Sequence, residues 1–230
     1  VQTCALPIYD VDLANQHLDM VMPDRDSEGF RLRPDGERFT FAVQANVDFR
    51  PVFADILQFA ERNWEAVGID TIIVISNDDI FRQQFREDDV DAMVWHGATE
   101  PGLAPMLDNN TWTPEAAWGW KAWARDELGL LLYGINESDE PMVPPPGIQR
   151  QYEIYVEVLS APVEEQIVLW QELLELAADQ FYNVGLSLPA AEYFVVNNDL
   201  RNVPDPLIRG WMYPGPAPAN YETFYFADED

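Results

Sequence analysis

Helix-like and strand-like apolar patterns alternate in the first half of the chain, and this alternation most restricts the folds that the chain can adopt. Residues 51–67 carry apolar side chains at helical spacing, with a proline in the first turn and Gly68 as the stop. The apolar run DTIIVIS at 70–76 is typical of a strand that is buried on both faces. A helix capped by Asn or Asp follows, and VDAMVWHG at 90–97 predicts another strand. Interleaved strands and helices indicate an α/β fold.

The residues before this region predict a short helix and a hairpin. Residues 10–21 have the apolar spacing of a helix. Phe30 and Leu32 then alternate with arginines, PDG at 34–36 predicts a turn, and apolar residues alternate again in 39–43. Because a hairpin pairs its strands antiparallel, we expect the sheet to be mixed.

The second half of the chain predicts two helices and then irregular structure. A Trp-rich helix is expected around 115–127, and the strongest helix at 160–182 with Ser160 as its cap. The apolar stripe of that second helix comprises Val163, Ile167, Trp170, Leu174, Ala177 and Phe181. VGLSLP and EYFVVNN then predict strands, and a Pro-rich tail with many aromatic residues ends the sequence.

Charge excludes several classes of partner. The chain has 41 acidic and 13 basic residues, a net charge of −28, and Lys121 is the only lysine. Such a field repels phosphate backbones and anionic headgroups, so neither nucleic acid nor a membrane surface is an expected partner. No stretch approaches the roughly 18 consecutive apolar residues of a membrane helix. The 29 aromatic residues are more than a core requires, and some could stack on a ligand. The tryptophans concerned are Trp112, Trp118, Trp120 and Trp123, for which helix packing is the alternative.

Catalytic motifs are absent from the sequence, so we expect no enzyme activity, no cofactor and no metal. The only histidines, His17 and His96, are far apart in the sequence. One segment has the spacing of a calcium-binding loop, although a hairpin follows where a second helix would be needed. Its residues are Asp24, Asp26, Glu28, Gly29 and Asp35. A solvated loop is the alternative, because such spacing arises easily by chance in so acidic a chain.

The segment VDAMVWHGATEPGLAP gives the candidate binding site. A strand that ends in Trp-His-Gly places Trp95, His96, Thr99 and Glu100 at the carboxyl end of the sheet. Ligands of open α/β sheets bind at that end. In the alternative interpretation, Trp95 belongs to the core and Glu100 is simply solvated.

The first eight residues, VQTCALPI, match the translation of a sequencing-adapter DNA, gttcagacgtgtgctcttccgatct. We therefore expect residues 1–8 to be an artefact in which Cys4 has no role. The chain from Tyr9 would then be the back part of a longer protein. An ordinary N-terminal strand is the alternative.

From Tyr9 onward, five segments in order resemble the C-terminal part of the family 5 solute-binding proteins of bacterial ABC importers. The segments are YDVDLANQHL, GFRLRPDGERFTFAV, FADILQFAERNWEAVGIDTIIV, VDAMVWHG and LLELAADQFYNVGLSLPAAEYFVVNNDLRNVP. The resemblance implies a type II periplasmic-binding-protein fold, in which two α/β lobes close around a cleft. Residues 9–185 would form the second lobe, and residues 186–230 would return to pack on a first lobe that this incomplete chain lacks.

The resemblance also implies a function. The protein would capture a peptide or an oligosaccharide for import, without catalysis, and deliver it to ABC permease subunits. It would be periplasmic or otherwise extracytoplasmic, with a lipid anchor as one option for the full-length protein. The alternatives are a secreted carbohydrate-active enzyme with a carboxylate pair near the tryptophans, and a ligand-independent sensing or structural module.

Site residues carry over only in part. Trp95 matches a tryptophan of the peptide-binding members, but Ala98 stands where those proteins have an aspartate that holds the amino terminus of the peptide. A buried ammonium group without a charge partner is costly. Unless Glu100 substitutes for the aspartate, the sequence therefore favours an uncharged ligand such as an oligosaccharide.

Overall fold

The computed structural model describes residues 9–87, 90–96, 112–114, 117–132, 134–185, 193–206 and 220–227. Residues 1–8, which include Cys4, lie outside this description. The chain divides into two compact units. The sheet unit contains the described residues up to His96, and the helical unit contains the described residues from Trp112 onward. No helix among the described residues is long and apolar enough to cross a membrane.

The sheet unit is built around three parallel strands. Its helices are α1 (Val11–Val21), α2 (Val52–Ala66) and α3 (Asp78–Arg86), and its strands are β1 (Thr40–Asn46), β2 (Asp70–Ser76) and β3 (Ala92–Met93). The strand order is β2-β1-β3. Both β2 and β3 run parallel to β1, because a helix returns the chain before each of them. The predicted α/β class and the order of these elements are confirmed.

The predicted turn at 34–36 forms, and an antiparallel bridge between Leu32 and Arg38 spans it, but the predicted mixed sheet is not observed within the described residues. The segment before β1 forms only isolated antiparallel bridges, Arg25 with Arg31 and Leu32 with Arg38. The turn between Leu32 and Arg38 closes through the amide of Arg33, which donates to the carbonyl of Glu37 at 2.7 Å. The chain then leaves this turn and enters β1, whose strand partners in the described part of the chain are the parallel strands β2 and β3.

The core of the sheet unit lies between β1 and α2. It contains Val43, Ala45, Phe53, Leu57 and Val94. Strand β2 forms as predicted, but it is not buried on both faces, since Ile72 and Ile75 are half exposed. The reason is its position, because β1 occupies the middle of the sheet and β2 lies at an edge.

Three helices among the described residues of the helical unit pack around one core. These are α4 (Trp118–Leu128), α5 (Pro146–Ser160) and α6 (Val163–Gln180). The buried core residues are Trp112, Ala124, Leu130, Ile148, Tyr152, Ile154, Val158 and Leu173. Trp120 and Trp123 pack against this core and Trp112 lies within it, so the packing interpretation of these three tryptophans is confirmed.

The strongest predicted helix is shorter than expected, and only part of its predicted stripe is buried, since Trp170 and Ala177 pack against the core. Ser160 does not cap it, because Ser160 is the last residue of α5, a helix that the sequence patterns did not indicate. Val163 and Ile167 of the predicted stripe are exposed, whereas Leu173 is fully buried. The buried side faces α5, since Leu169, Leu173 and Leu176 belong to the core shared with that helix.

The predicted strand at EYFVVNN is not observed in the described residues 193–197, which form no regular element. A short antiparallel pair follows instead, between β4 (Leu200–Arg201) and β5 (Tyr225–Phe226). Residues 186–189 of the predicted strand VGLSLP lie outside the described part of the chain.

Candidate functional site

The carboxyl ends of the three parallel strands meet at one edge of the sheet. Asn46 ends β1, Ser76 ends β2, and Trp95 and His96 follow β3 closely. This edge is where open α/β sheets bind their ligands. The side chains that follow the strands therefore define the candidate site.

A buried polar network fixes the backbone at this edge. The Asn46 side chain is fully buried, and its Nδ2 donates to Oδ1 of Asp78 at 2.7 Å. Its Oδ1 accepts from the backbone amides of Asp48 and Phe49, both at 3.1 Å. The amide of Asp78 in turn donates to Oδ2 of Asp48 at 3.2 Å. The turn after β1 is thus tied to the start of α3.

The carboxylate of Asp78 is held in its ionised form within this network. A hydrogen bond from Arg82 and a second from Asn46 lower the pKa of Asp78 below its ordinary value. Both oxygens are engaged, because Oδ2 accepts from Nε of Arg82 at 2.8 Å. Asp78 therefore positions the site and is not free to exchange a proton with a ligand.

Three aromatic rings stack at the same edge. Trp95 is partly buried and lies nearly parallel to Phe49 and Phe81, with ring centroids 4.8 Å and 5.5 Å apart and interplanar angles of 16°. The exposed imidazole of His96 completes the group, with its centroid 5.2 Å from Trp95 and 5.5 Å from Phe49. Such a surface can stack on the apolar face of a ligand.

The structure describes two of the four predicted site residues. Trp95 and His96 lie at the predicted edge, whereas Thr99 and Glu100 lie outside the described residues. Trp95 also packs against the core of the sheet unit, so its role in ligand binding stays a prediction.

Sequence reasoning missed Phe49, Phe81 and Asn46. The segment VDFRP follows β1 directly, so the position of Phe49 just after a strand could have been predicted from the sequence pattern. The stacking of Phe49 on Trp95 could not be predicted in this way, because the two residues are far apart in the sequence.

The segment with calcium-like spacing is organised as a turn. Oδ1 of Asp26 accepts from the amides of Glu28 and Phe30 at 2.9 Å and 3.0 Å, and Oδ2 accepts from Nε of Arg38 at 2.7 Å. Burial alone would raise the pKa of Asp26, but these hydrogen bonds outweigh it and lower the pKa. Its oxygens face N–H donors rather than a cation. The described residues contain no group of three or more side chains suited to a metal.

No protein-family model and no curated protein matches the chain. Solved structures do match. The oligopeptide-binding protein OppA has a TM-score of 0.54 and 24% identity over 74% of this chain and 27% of its own. The periplasmic binding protein MelB of Agrobacterium fabrum, in complex with stachyose, has a TM-score of 0.58 and 13% identity over 77% and 26%. An ABC transporter substrate-binding protein of Sinorhizobium meliloti has a TM-score of 0.55 and 16% identity over 96% and 38%.

Identities this low establish a shared fold and nothing finer. The periplasmic-binding-protein fold expected from the sequence is confirmed for most of the chain. The chain spans 26–38% of the length of these three proteins. It therefore corresponds to part of that fold.

Proposed function

We propose that the chain belongs to the substrate-binding component of an ABC importer, which captures a peptide or an oligosaccharide in a cleft between two lobes. The observation that carries the proposal is the fold match, since the three compared structures are all binding proteins. One is named for oligopeptides and another was solved with stachyose. Its partners would be the small-molecule ligand and ABC permease subunits, and its location extracytoplasmic.

Binding on this proposal requires no catalytic step. Trp95 and His96 contact the ligand, and Thr99 and Glu100 contribute from the segment that follows them. The network around Asn46 supports this role, because it fixes the turn that carries Phe49 beneath the aromatic stack. A rigid aromatic surface binds a ligand at a lower entropic cost than a mobile one.

The proposal also assigns the parts of the chain. Residues 9–185 form the second lobe, and residues 186–230 return to pack on the first. Exposed apolar side chains in the return segment support this division, since Tyr193 and Val195 are 90% and 95% exposed. Contiguous exposed apolar residues of this kind mark an interaction surface.

Thermal unfolding of the full-length protein, which on this proposal has both lobes, with a library of peptides and oligosaccharides tests the proposed function. A true ligand stabilises the protein by about 2.7 kcal/mol when present at about 100 times its Kd, and Tm rises accordingly. Trp95→Leu should abolish the rise. Trp64→Leu is the matched control, because Trp64 is also partly buried against the core of the same unit. Absence of any shift across the library, or release of sugar from an oligosaccharide, contradicts the proposal.

A further inference from the structure

An exposed turn in the helical unit carries an asparagine that is followed two positions later by a serine. The segment Asn136-Glu137-Ser138 has the form Asn-X-Ser, with X other than proline, which is the acceptor sequence for N-linked glycans in secreted proteins. All three residues are exposed. A sequence this short also arises by chance, so a modification site requires that the structure leave the asparagine free and accessible.

The turn holds the backbone of Asn136 and leaves its side chain free. The amide of Asp139 donates to the carbonyl of Asn136 at 3.2 Å, and the amide of Asn136 donates to Oδ2 of Asp139 at 2.7 Å. Arg125 of α4 donates to the carbonyls of both residues. The side-chain amide of Asn136 and the hydroxyl of Ser138 make no hydrogen bond among the described residues.

The asparagine is not needed to form this turn. Asparagine is favoured at the first position of a turn because its side-chain oxygen can accept from the backbone two residues on. In this turn the side chain of Asp139 makes the bond instead. Other asparagines do use their side chains, since Asn77 caps α3 and Oδ1 of Asn197 accepts from the amide of Asp199 at 2.8 Å. The turn therefore gives no structural reason for an asparagine at position 136.

We propose that Asn136 carries an N-linked glycan; this inference rests on the extracytoplasmic location proposed above. The donor is an oligosaccharide linked through phosphate to a lipid, and the host supplies the transferase. The side-chain nitrogen of Asn136 forms a bond to C1 of the first sugar and loses one proton. The bond from C1 to the phosphate oxygen breaks, and the lipid phosphate leaves. The glycan then projects into solvent, because Arg125 anchors the turn to α4 while its tip is exposed.

Trypsin separates the two sequences of this form in the chain. Cleavage releases residues 126–150 as one fragment, in which Asn136 is the only asparagine. The other sequence begins at Asn109, outside the described residues, and falls on the fragment 87–121. Mass spectrometry of the tryptic peptides from the full-length protein, purified from its host, therefore assigns a glycan to one position.

The wild-type fragment 126–150 should carry a mass increment that breaks into sugar units on fragmentation. Asn136→Gln and Ser138→Ala should each remove this increment completely, whereas Ser138→Thr should retain it, because threonine also supplies the required hydroxyl. Asn63→Gln is the matched control for the asparagine substitution, since Asn63 is exposed but has no hydroxyl two positions later. That variant should leave the increment unchanged.

An unmodified fragment 126–150 refutes the inference, whether or not Asn109 carries a glycan. Cell fractionation distinguishes this failure from failure of the proposed function. If the unmodified protein lies outside the cytoplasm, only the inference falls; if it lies in the cytoplasm, both fall. Retention of the increment in Ser138→Ala also refutes the inference, because the modification would then not depend on the acceptor sequence.

Discussion

Arg31 is fully buried although it carries a positive charge. Its Nε donates to the carbonyl of Val67 at 2.8 Å, and its Nη1 donates to the carbonyl of Met22 at 2.6 Å. The same guanidinium reaches α1 through Oδ1 of Asn15 and Oδ1 of Asp19, each at 2.8 Å. No residue of α1 is buried. Arg31 is therefore a principal attachment of that helix to the turn after α2.

We expect Arg31→Lys to destabilise the protein by roughly 3 kcal/mol, because one ammonium cannot satisfy four acceptors that the guanidinium fork now satisfies. Urea unfolding followed by circular dichroism measures the change. Arg33→Lys is the control, since Arg33 is half exposed and should change stability by less than about 0.5 kcal/mol. Similar small effects of both substitutions would refute the structural role of Arg31.

The sequence could not distinguish these two arginines. Arg31 and Arg33 alternate with Phe30 and Leu32, a pattern that places both arginines on the polar side of a hairpin. Burial of Arg31 depends on acceptors contributed by α1 and by the turn at Val67, which lies 36 positions away. A local pattern carries no information about such distant partners.

At the scale of elements, α5 shows what the patterns missed. Pro146 occupies the first turn of the helix, a placement that favours helix initiation. The buried face nevertheless includes a fully buried glutamine, Gln151, between Ile148 and Tyr152. Three consecutive prolines at 144–146 and the polar Gln151 in the buried stripe hide the helical pattern of this segment. The predicted cap at Ser160 is wrong for a related reason, because the local sequence pattern does not separate the end of α5 from the start of α6.

Arg150 joins α5 to α6, and this link predicts a pH dependence. Its Nε and Nη2 donate to the two carboxylate oxygens of Glu172 at 2.8 Å and 3.2 Å. The hydrogen bond from Arg150 lowers the pKa of Glu172 below its ordinary value of 4.5. A lowered folded-state pKa contributes stability above the unfolded-state value, and that contribution is lost as the pH falls through the folded-state value.

Glu172→Gln should therefore lower the free energy of unfolding at neutral pH, by less than about 1 kcal/mol because the pair is partly exposed. The difference from wild type should shrink as the pH falls below 4.5, as measured by urea unfolding across the acid range. Glu175→Gln is the control, since Glu175 is exposed on the same helix without an ion pair among the described residues. A difference that persists in acid would show that the carboxylate charge is not responsible.

At the scale of the molecule, alternating apolar patterns were enough to predict the α/β class and the order of elements up to β3. They did not predict which strand lies at the edge, because the apolar run of β2 is typical of a central strand, whereas strand order depends on the crossover connections. The sequence pattern likewise predicted only part of the candidate site. Trp95 is recognisable as a residue at the end of a strand, whereas Phe49 joins it only through the parallel register of β1 with β3.

The net charge of −28 predicts how the whole molecule responds to salt. Like charges repel more strongly in the compact native state than in the expanded unfolded state, and added salt screens this repulsion. The screening length falls from about 30 Å at about 0.01 M to about 8 Å at about 0.15 M. The ion pairs are weakened by the same screening, but exposed pairs contribute only about 0–1 kcal/mol each. Repulsion is the larger effect, because 28 negative charges have no positive counterpart.

The free energy of unfolding in urea should therefore rise as NaCl is added at neutral pH. A gain of about 1 kcal/mol corresponds to a rise in Tm of roughly 2–4 °C for a chain of this size. The gain should diminish near the ordinary pKa of the carboxyl groups, where protonation removes the repulsion. A fall in stability on adding NaCl at neutral pH would show instead that the ion pairs outweigh the net charge.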